Sequence, residues 1–193
     1  MSVPPADSLN SRLFPLVAAR AAESKPSEVQ CEVIRLFDEL RAPSLRYVLS
    51  LGLSIHDGEE VIQEVFLALL RHLRLGRPRD NLRGWVFRVA HNLALKRRQA
   101  TRRSVEATES DWESAQRRPD PARNPEQQFS DSQRQSRLLA VFRSLPEEDR
   151  CCLRLRAEGL RYREIASVLG ISLGTISNSL TRSLARMARA DEE

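Results

Sequence analysis

An all-α fold is predicted, made of two small helical domains joined by a linker. Three observations predict it. Apolar residues recur at helical spacing along most of the 193 residues, with no strand-period alternation and no internal repeat. The stretch 100–123 breaks that rhythm: it is polar, contains Pro119 and Pro121, and shows no apolar period. Either side of it the helical pattern is long enough for a small core, with a hydrophobic fraction of 41% and only 5% aromatic residues. The division expected is an extension over 1–26, a first domain over 27–99, a linker over 100–123 and a second domain over 124–193.

Each element follows from a local signal. Residues 1–26 carry Pro4, Pro5, Pro15 and Pro26 and read as a loose extension with one short helix at most. Ser27 caps an amphipathic run with Val29, Val33, Ile34, Phe37 and Leu40. Pro43 is expected to open a second segment that ends at Gly52, a suitable residue just past a helix C-terminus. Asp57 reads as an N-cap, with Glu60 three residues later as in a capping box. Val61, Ile62, Val65, Phe66, Leu69, Leu70 and Leu73 form the apolar side of the helix that follows. Leu75 to Asp80, with Gly76 and Pro78, is a loop. A helix from Leu82 to Arg98 places Trp85, Val86, Val89, Ala90 and Leu93 inward; the role of Phe87 stays open. In the second domain Asn124 and Pro125 form an N-cap and first helical residue. Phe129, Leu138, Leu139, Val141, Phe142 and Leu145 lead to Pro146, and helices are expected over Pro146–Glu158, Arg161–Leu169 and Leu173–Ala190.

Several classes of protein are excluded or disfavoured by composition. No apolar run approaches the roughly 20 residues of a membrane-spanning helix. The run Leu13–Ala19 is interrupted by Pro15 and lacks a cleavage site, so no signal peptide is expected. Cys31, Cys151 and Cys152 are odd in number and two are adjacent, which is no disulfide framework; no CxxC pair is present. A reduced, cytoplasmic chain is expected, with Cys151 and Cys152 packed in a helix beside Leu153 and Leu155. His56, His72 and His91 form no ligand spacing, so neither metal nor cofactor is expected.

The distribution of charge says more than its sum of +5. Residues 71–103 hold eleven basic residues and one acid, Asp80. Residues 104–136 hold four basic and seven acidic residues, and residues 137–190 ten basic and five acidic. Two basic segments flanking an acidic one suit a polyanion touched at two places. A solvated surface in an arginine-rich chain would show the same excess, so charge alone leaves both readings open.

The last two helices have the grammar of a helix-turn-helix. Tyr162 to Leu169 is followed by Gly170-Ile171-Ser172 and then Leu173 to Leu180. Ala166 is small where the second helix must cross, Gly170 can adopt the left-handed turn conformation, and Ser172 can cap the second helix. Ile165, Leu169, Ile171, Ile176 and Leu180 supply a core, and the second helix would enter the major groove.

These residues, with Leu145-Pro146-Glu147-Glu148-Asp149-Arg150 and Glu158-Gly159-Leu160-Arg161 before them, resemble region 4 of bacterial sigma factors. Asp57-Gly58-Glu59-Glu60-Val61-Ile62-Gln63-Glu64-Val65-Phe66 resembles their region 2.2, and Leu82 to Ala94 their regions 2.3 and 2.4. The resemblance is to the small two-domain kind, the extracytoplasmic function (group 4) sigma factors, and covers about residues 30–100 and 124–190.

The resemblance implies a non-catalytic protein that binds core RNA polymerase, recognises minus-35 and minus-10 promoter elements and helps to melt them. Asp57, Glu60, Gln63 and Glu64 would face the β′ clamp helices; the β flap is a further contact. The minus-10 element would be held by Arg77, Arg79, Asn81, Arg83, Arg88, His91, Asn92, Lys96 and Arg97, with cations on phosphates and asparagines on exposed base edges. His91 would then face DNA or solvent. Lys96 stands where the family often has an acid. The minus-35 element falls to Thr175, Ser177, Asn178, Ser179, Thr181, Arg182 and Arg186. Family members commonly carry basic residues near Ser177 and Ser179, so a weaker or unusual contact is expected. The acidic stretch Glu106, Glu109, Asp111, Glu113 and Asp120 would thread through the polymerase or simply tether the domains. An anti-sigma protein is a further expected partner.

Two rivals stand beside this reading. A helix-turn-helix regulator that binds duplex DNA without the polymerase would account for the C-terminal helices but not for the Asp57 helix or the basic loop before Trp85. An enzyme would need paired acids, a phosphate-cradling loop or a nucleophile with its base, and the sequence offers none of these patterns.

Overall fold

The computed structural model describes residues 27–105 and 125–192, and the described residues form seven helices and no strand. In chain order these are α1 (Glu28–Ser50), α2 (Ile55–Arg74), α3 (Leu82–Val105), α4 (Pro125–Ser144), α5 (Glu147–Ala157), α6 (Tyr162–Leu169) and α7 (Leu173–Glu192). The expected extension 1–26, Asn124 and most of the expected linker lie outside the described residues.

Helix α1 starts at Ser27, whose hydroxyl accepts the Gln30 N–H while the Gln30 side chain accepts the Ser27 N–H, a full capping box. Pro43 does not open a second segment as expected; it lies inside one continuous helix. The reason is tertiary. Leu36, Leu40, Ser44, Tyr47 and Val48 make one unbroken buried stripe across the proline, and burying it outweighs one lost backbone bond. The buried Ser44 hydroxyl donates to the Leu40 carbonyl (2.5 Å) beside the ring. Ile34, read as part of the apolar run, is 54% exposed.

The start of α2 also differs from expectation. Its N-cap is Ser54, not Asp57: the Ser54 oxygen accepts the Asp57 N–H at 3.1 Å. The helix therefore begins three residues early, and Asp57 sits in its first turn, where a carboxylate meets the positive end of the dipole. Helix α3 runs on to Val105, beyond the expected Arg98.

Helices α1, α2 and α3 pack around Leu40, Val48, Val65, Leu69, Val86 and Phe87, all fully buried. Phe87 is thereby settled as core. Helices α5, α6 and α7 close on Cys152, Leu155, Leu160, Ile165, Ile176 and Leu180, with α4 lying along α7. Gly170 has φ +70 and joins α6 to α7; Ser172 caps α7, accepting the Thr175 N–H at 3.1 Å. The turn matches its expectation in both residues.

The two helix sets are in contact, which nothing local in the sequence announces. Helix α3 packs on α6 and α1 touches α5, so one apolar cluster runs through both. Tyr47 of α1 lies at this seam: its hydroxyl is 2.8 Å from His91 Nδ1 of α3 in its own set, and Cys151 of α5, with burial, raises its pKa. Arg46 grips the Glu158 carboxylate with two bonds (3.1 and 2.6 Å), Arg83 donates to the Glu158 carbonyl (2.5 Å), and Arg98 pairs with Glu147 (2.7 Å).

Candidate nucleic-acid interface

The basic loop between α2 and α3 is held from three sides. His72 Nε2–H donates to the Pro78 carbonyl (2.8 Å), Arg79 pairs with Glu32 of α1 (2.9 Å), and the Asn81 side chain accepts the Gly84 N–H (3.1 Å). Asn81 has φ +53, a left-handed conformation that asparagine tolerates better than most residues. A Cβ on Gly84 would come within 2.4 Å of the Asn81 amide, so the glycine makes room for this cap. Asn81 therefore spends its carbonyl on shaping the loop. Trp85 is half-buried, packs against the core and lies 4.8 Å from the His72 ring.

Of the residues expected to meet the minus-10 element, Arg79, Asn81, Arg97, Arg77, Arg88, Asn92 and Lys96 are exposed. The last three lie at i, i+4 and i+8 and so form one stripe along α3. Three of the set are paired within the chain. Arg79 holds Glu32, Arg83 holds Glu158 and Glu39, and Arg97 is bound to both Asp57 and Glu60. His91 does not face solvent freely: it is half-buried against Tyr47, and burial, reinforced by Arg98, pushes its pKa below 6.5. That is a correction to its expected outward placement.

The acidic face of α2 is present, with Gln63 and Glu64 exposed. Asp57 is partly covered, accepting the Ser54 hydroxyl (2.7 Å) and Arg97 Nε (2.9 Å), and these two bonds hold its carboxyl below the usual range. A shallow cleft of about 270 Å³ between α2 and α3 is lined by Glu60, Val61, Glu64, Leu93, Lys96 and Arg97. Residues assigned separately to protein and to DNA thus meet at one place, with Arg97 on the acidic side of it.

On α7 the geometry divides the expected set. Thr175, Ser177, Asn178, Thr181, Arg182 and Arg186 are exposed. Ser179 is buried (2% exposed) and donates its hydroxyl to Asp149 (2.7 Å), which corrects the expectation that it reads a base. Thr175, Asn178, Arg182 and Arg186 follow i, i+3, i+7, i+11 and line one side of the helix. Asp149 and Glu158 were missed in the sequence. Each finds its partners 30 or more residues away, so no short motif could reveal them. Ser54 was legible, since Ser54-x-x-Asp57 is itself a capping pattern.

The comparisons with known proteins agree with this geometry. Sigma-70 region 2 matches residues 36–104, and sigma-70 region 4 matches residues 135–187. A three-helix module carrying region 2 and a helix-turn-helix carrying region 4, in that order, define a chain of the sigma-70 family, and this chain belongs to it. The curated relatives this chain is similar to are named as extracytoplasmic function sigma factors. It is 36% identical over 129 residues to the ECF RNA polymerase sigma factor SigE of Mycolicibacterium smegmatis, covering 66% of this chain and 49% of the relative. The chain thus spans about half the length of that relative. It is 26% identical over 148 residues to the ECF RNA polymerase sigma factor EcfG of Rhodopseudomonas palustris, covering 76% of this chain and 78% of the relative. In fold it is similar to the sigma factor RpoE solved in complex with the anti-sigma factor NepR from Bartonella quintana, with TM-score 0.58, 20% identity, and coverage of 81% of this chain and 93% of that one. No helix among the described residues is long and apolar enough to cross a membrane.

Proposed function

We propose that the chain binds core RNA polymerase, directs it to promoters through minus-35 and minus-10 contacts, and promotes melting, with no catalytic chemistry of its own. It would work in the cytoplasm, where an anti-sigma protein would hold it inactive. The observation that carries the reading is the pairing on one module of an acidic α2 face with a basic loop and α3 stripe, followed on the same chain by the region 4 helix-turn-helix. A duplex-binding regulator has no use for the first module.

In this reading Glu60, Gln63 and Glu64 offer carboxylate and amide groups to a basic coiled coil of the polymerase, giving register and a fast encounter. Arg77, Arg88, Asn92 and Lys96 follow the minus-10 strand. Arg97 contributes by holding Asp57 and Glu60 in place. On duplex DNA the two elements lie nominally 25 base pairs, or about 85 Å, apart. Helix α3 packs directly on α6, so the two modules must part before both elements are engaged. Arg83 is released in the same step, because it is tied to Glu158 across the contact between modules, whereas His91 stays against Tyr47 within the first module.

Run-off transcription from a genomic fragment library, with purified chain added to core polymerase lacking any sigma factor, tests the reading. Discrete transcripts that depend on the chain are expected, and their aligned start sites give both elements. Duplex binding without any capture of core polymerase would overturn the reading in favour of the regulator.

A further inference from the structure

Asp149 is a buried acid (4% exposed) in the first turn of α5, and nothing in the reading above uses it. Its two oxygens have different partners on α7: Oδ1 accepts the Ser179 hydroxyl at 2.7 Å, and Oδ2 accepts Arg182 Nη2 at 2.8 Å. Burial opposes the charge on Asp149, but these two bonds outweigh it and its pKa stays below the usual carboxylate range. It is therefore ionised. Arg182 is held at one corner only: its side chain remains 61% exposed, on the stripe with Thr175, Asn178 and Arg186.

We propose that Asp149 is a positioning residue that aims Arg182 at a base edge, so that Arg182 reads guanine in the minus-35 element instead of gripping a phosphate. The proposal rests on the promoter-binding reading. Two physical arguments carry it. First, an arginine gripping a phosphate gains affinity by releasing counterions, which needs its full charge. Here a buried carboxylate 2.8 Å away cancels that charge. Second, guanine is read by two parallel N–H groups meeting O6 and N7, which depends on the orientation of the guanidinium plane. One N–H pinned to a buried oxygen fixes that plane before DNA arrives, leaving four of the roughly five donors of the fork for a partner outside the chain. Ser179 gives its hydroxyl to the same carboxylate, so it belongs to the internal support and not to the reading surface. Arg186, exposed a turn further along, is left for the phosphates.

The test uses the full chain and the minus-35 duplex found by run-off transcription, with each base pair substituted in turn and binding titrated against salt. The wild-type chain is expected to prefer guanine at one position by about tenfold. Asp149→Asn and Arg182→Ala should each abolish that preference, and the double variant should lose nothing more. Arg182→Ala should leave the slope of log K against log salt unchanged, Asp149→Asn, which frees the charge of Arg182, should not reduce it, and Arg186→Ala should reduce it by about one. Ser179→Ala removes the other hydrogen bond to the same acid and should leave the base preference intact; if Asp149 were only structural, the two changes would act alike. Should Asp149→Asn fail to fold, Asp149→Glu keeps the charge but displaces it by one methylene, and the preference should fall at constant salt slope. Equal weakening on all duplexes by Asp149→Asn, or an unchanged preference in Arg182→Ala, would overturn the proposal alone. A wild-type chain that selects no promoter with core polymerase would overturn the promoter reading and the proposal together.

Discussion

His91 shows how a single side chain depends on its burial. Its Nδ1 lies 2.8 Å from the Tyr47 hydroxyl, and burial followed by the charge of Arg98 lowers its pKa from 6.5. Burial and Cys151 raise that of Tyr47, so the phenol stays protonated beside the ring. The sign of the pH effect follows. As pH falls through 6.5 the unfolded chain takes up a proton that the folded chain refuses, so stability is complete above that pH and declines below it until the folded value is passed. Thermal unfolding between pH 8 and pH 5.5 should show a steeper loss for the wild type than for His91→Gln. The cysteines divide in the same way. Burial pushes the Cys151 and Cys152 thiols up, and Cys31 is exposed. A thiol reagent at pH 8 should modify one cysteine rapidly and the other two only on unfolding, read by mass spectrometry.

At the scale of elements, the turn between α6 and α7 is a matter of backbone conformation alone. Gly170 has φ +70, and a Cβ there would meet no atom within 4 Å. Gly170→Ala therefore carries only the left-handed penalty of about 1–2 kcal/mol, and Tm should fall by several degrees. Calorimetry on the full chain checks this, with the α7 contacts intact at low temperature. Gly170 and Ser172 were both legible, because a turn glycine and a helix cap act within three residues. The ends of α1 and α2 were less so. Pro43 carries a strong local signal to stop a helix, yet Leu40, Tyr47 and Val48 are all buried on one face and keep it going. At α2 two overlapping capping patterns compete, Ser54 with Asp57 and Asp57 with Glu60. The earlier one wins because it lets Asp57 accept Arg97 from α3.

For the whole molecule, the contact between modules is the feature with most consequence. Glu158 is its centre, taking two bonds from Arg46 on its carboxylate and one from Arg83 on its carbonyl. The Glu158 side chain is only 14% exposed, so the Arg46 pair is screened less than a surface pair. Glu158→Ala should shift the population toward separated modules. Small-angle scattering of the free chain should then show a larger radius of gyration, and each module should keep its helical content by circular dichroism. An unchanged radius would mean that the apolar contact of α3 with α6 suffices by itself. If the modules do part more readily, promoter-dependent transcription at limiting chain should rise, because the closed form ties Arg83 to Glu158 and withholds it from DNA.

The sequence by itself determined the helical class, the order of the two modules, the helix-turn-helix with Gly170 and Ser172, and the acidic and basic faces of the first module. All of these rest on residues within about one or two helical turns of each other, where period, caps and turn residues act directly. Only the tertiary structure decided which polar residues are available. It buried Ser179 on Asp149, tied Arg97 to Asp57 and Glu60, turned His91 toward Tyr47 and closed Arg46 and Arg83 on Glu158. The physical reason is that an ion pair or a buried hydrogen bond is chosen by proximity in space. Its two ends here are separated by 30 to more than 100 residues of chain, over which composition and periodicity carry no information about the partner.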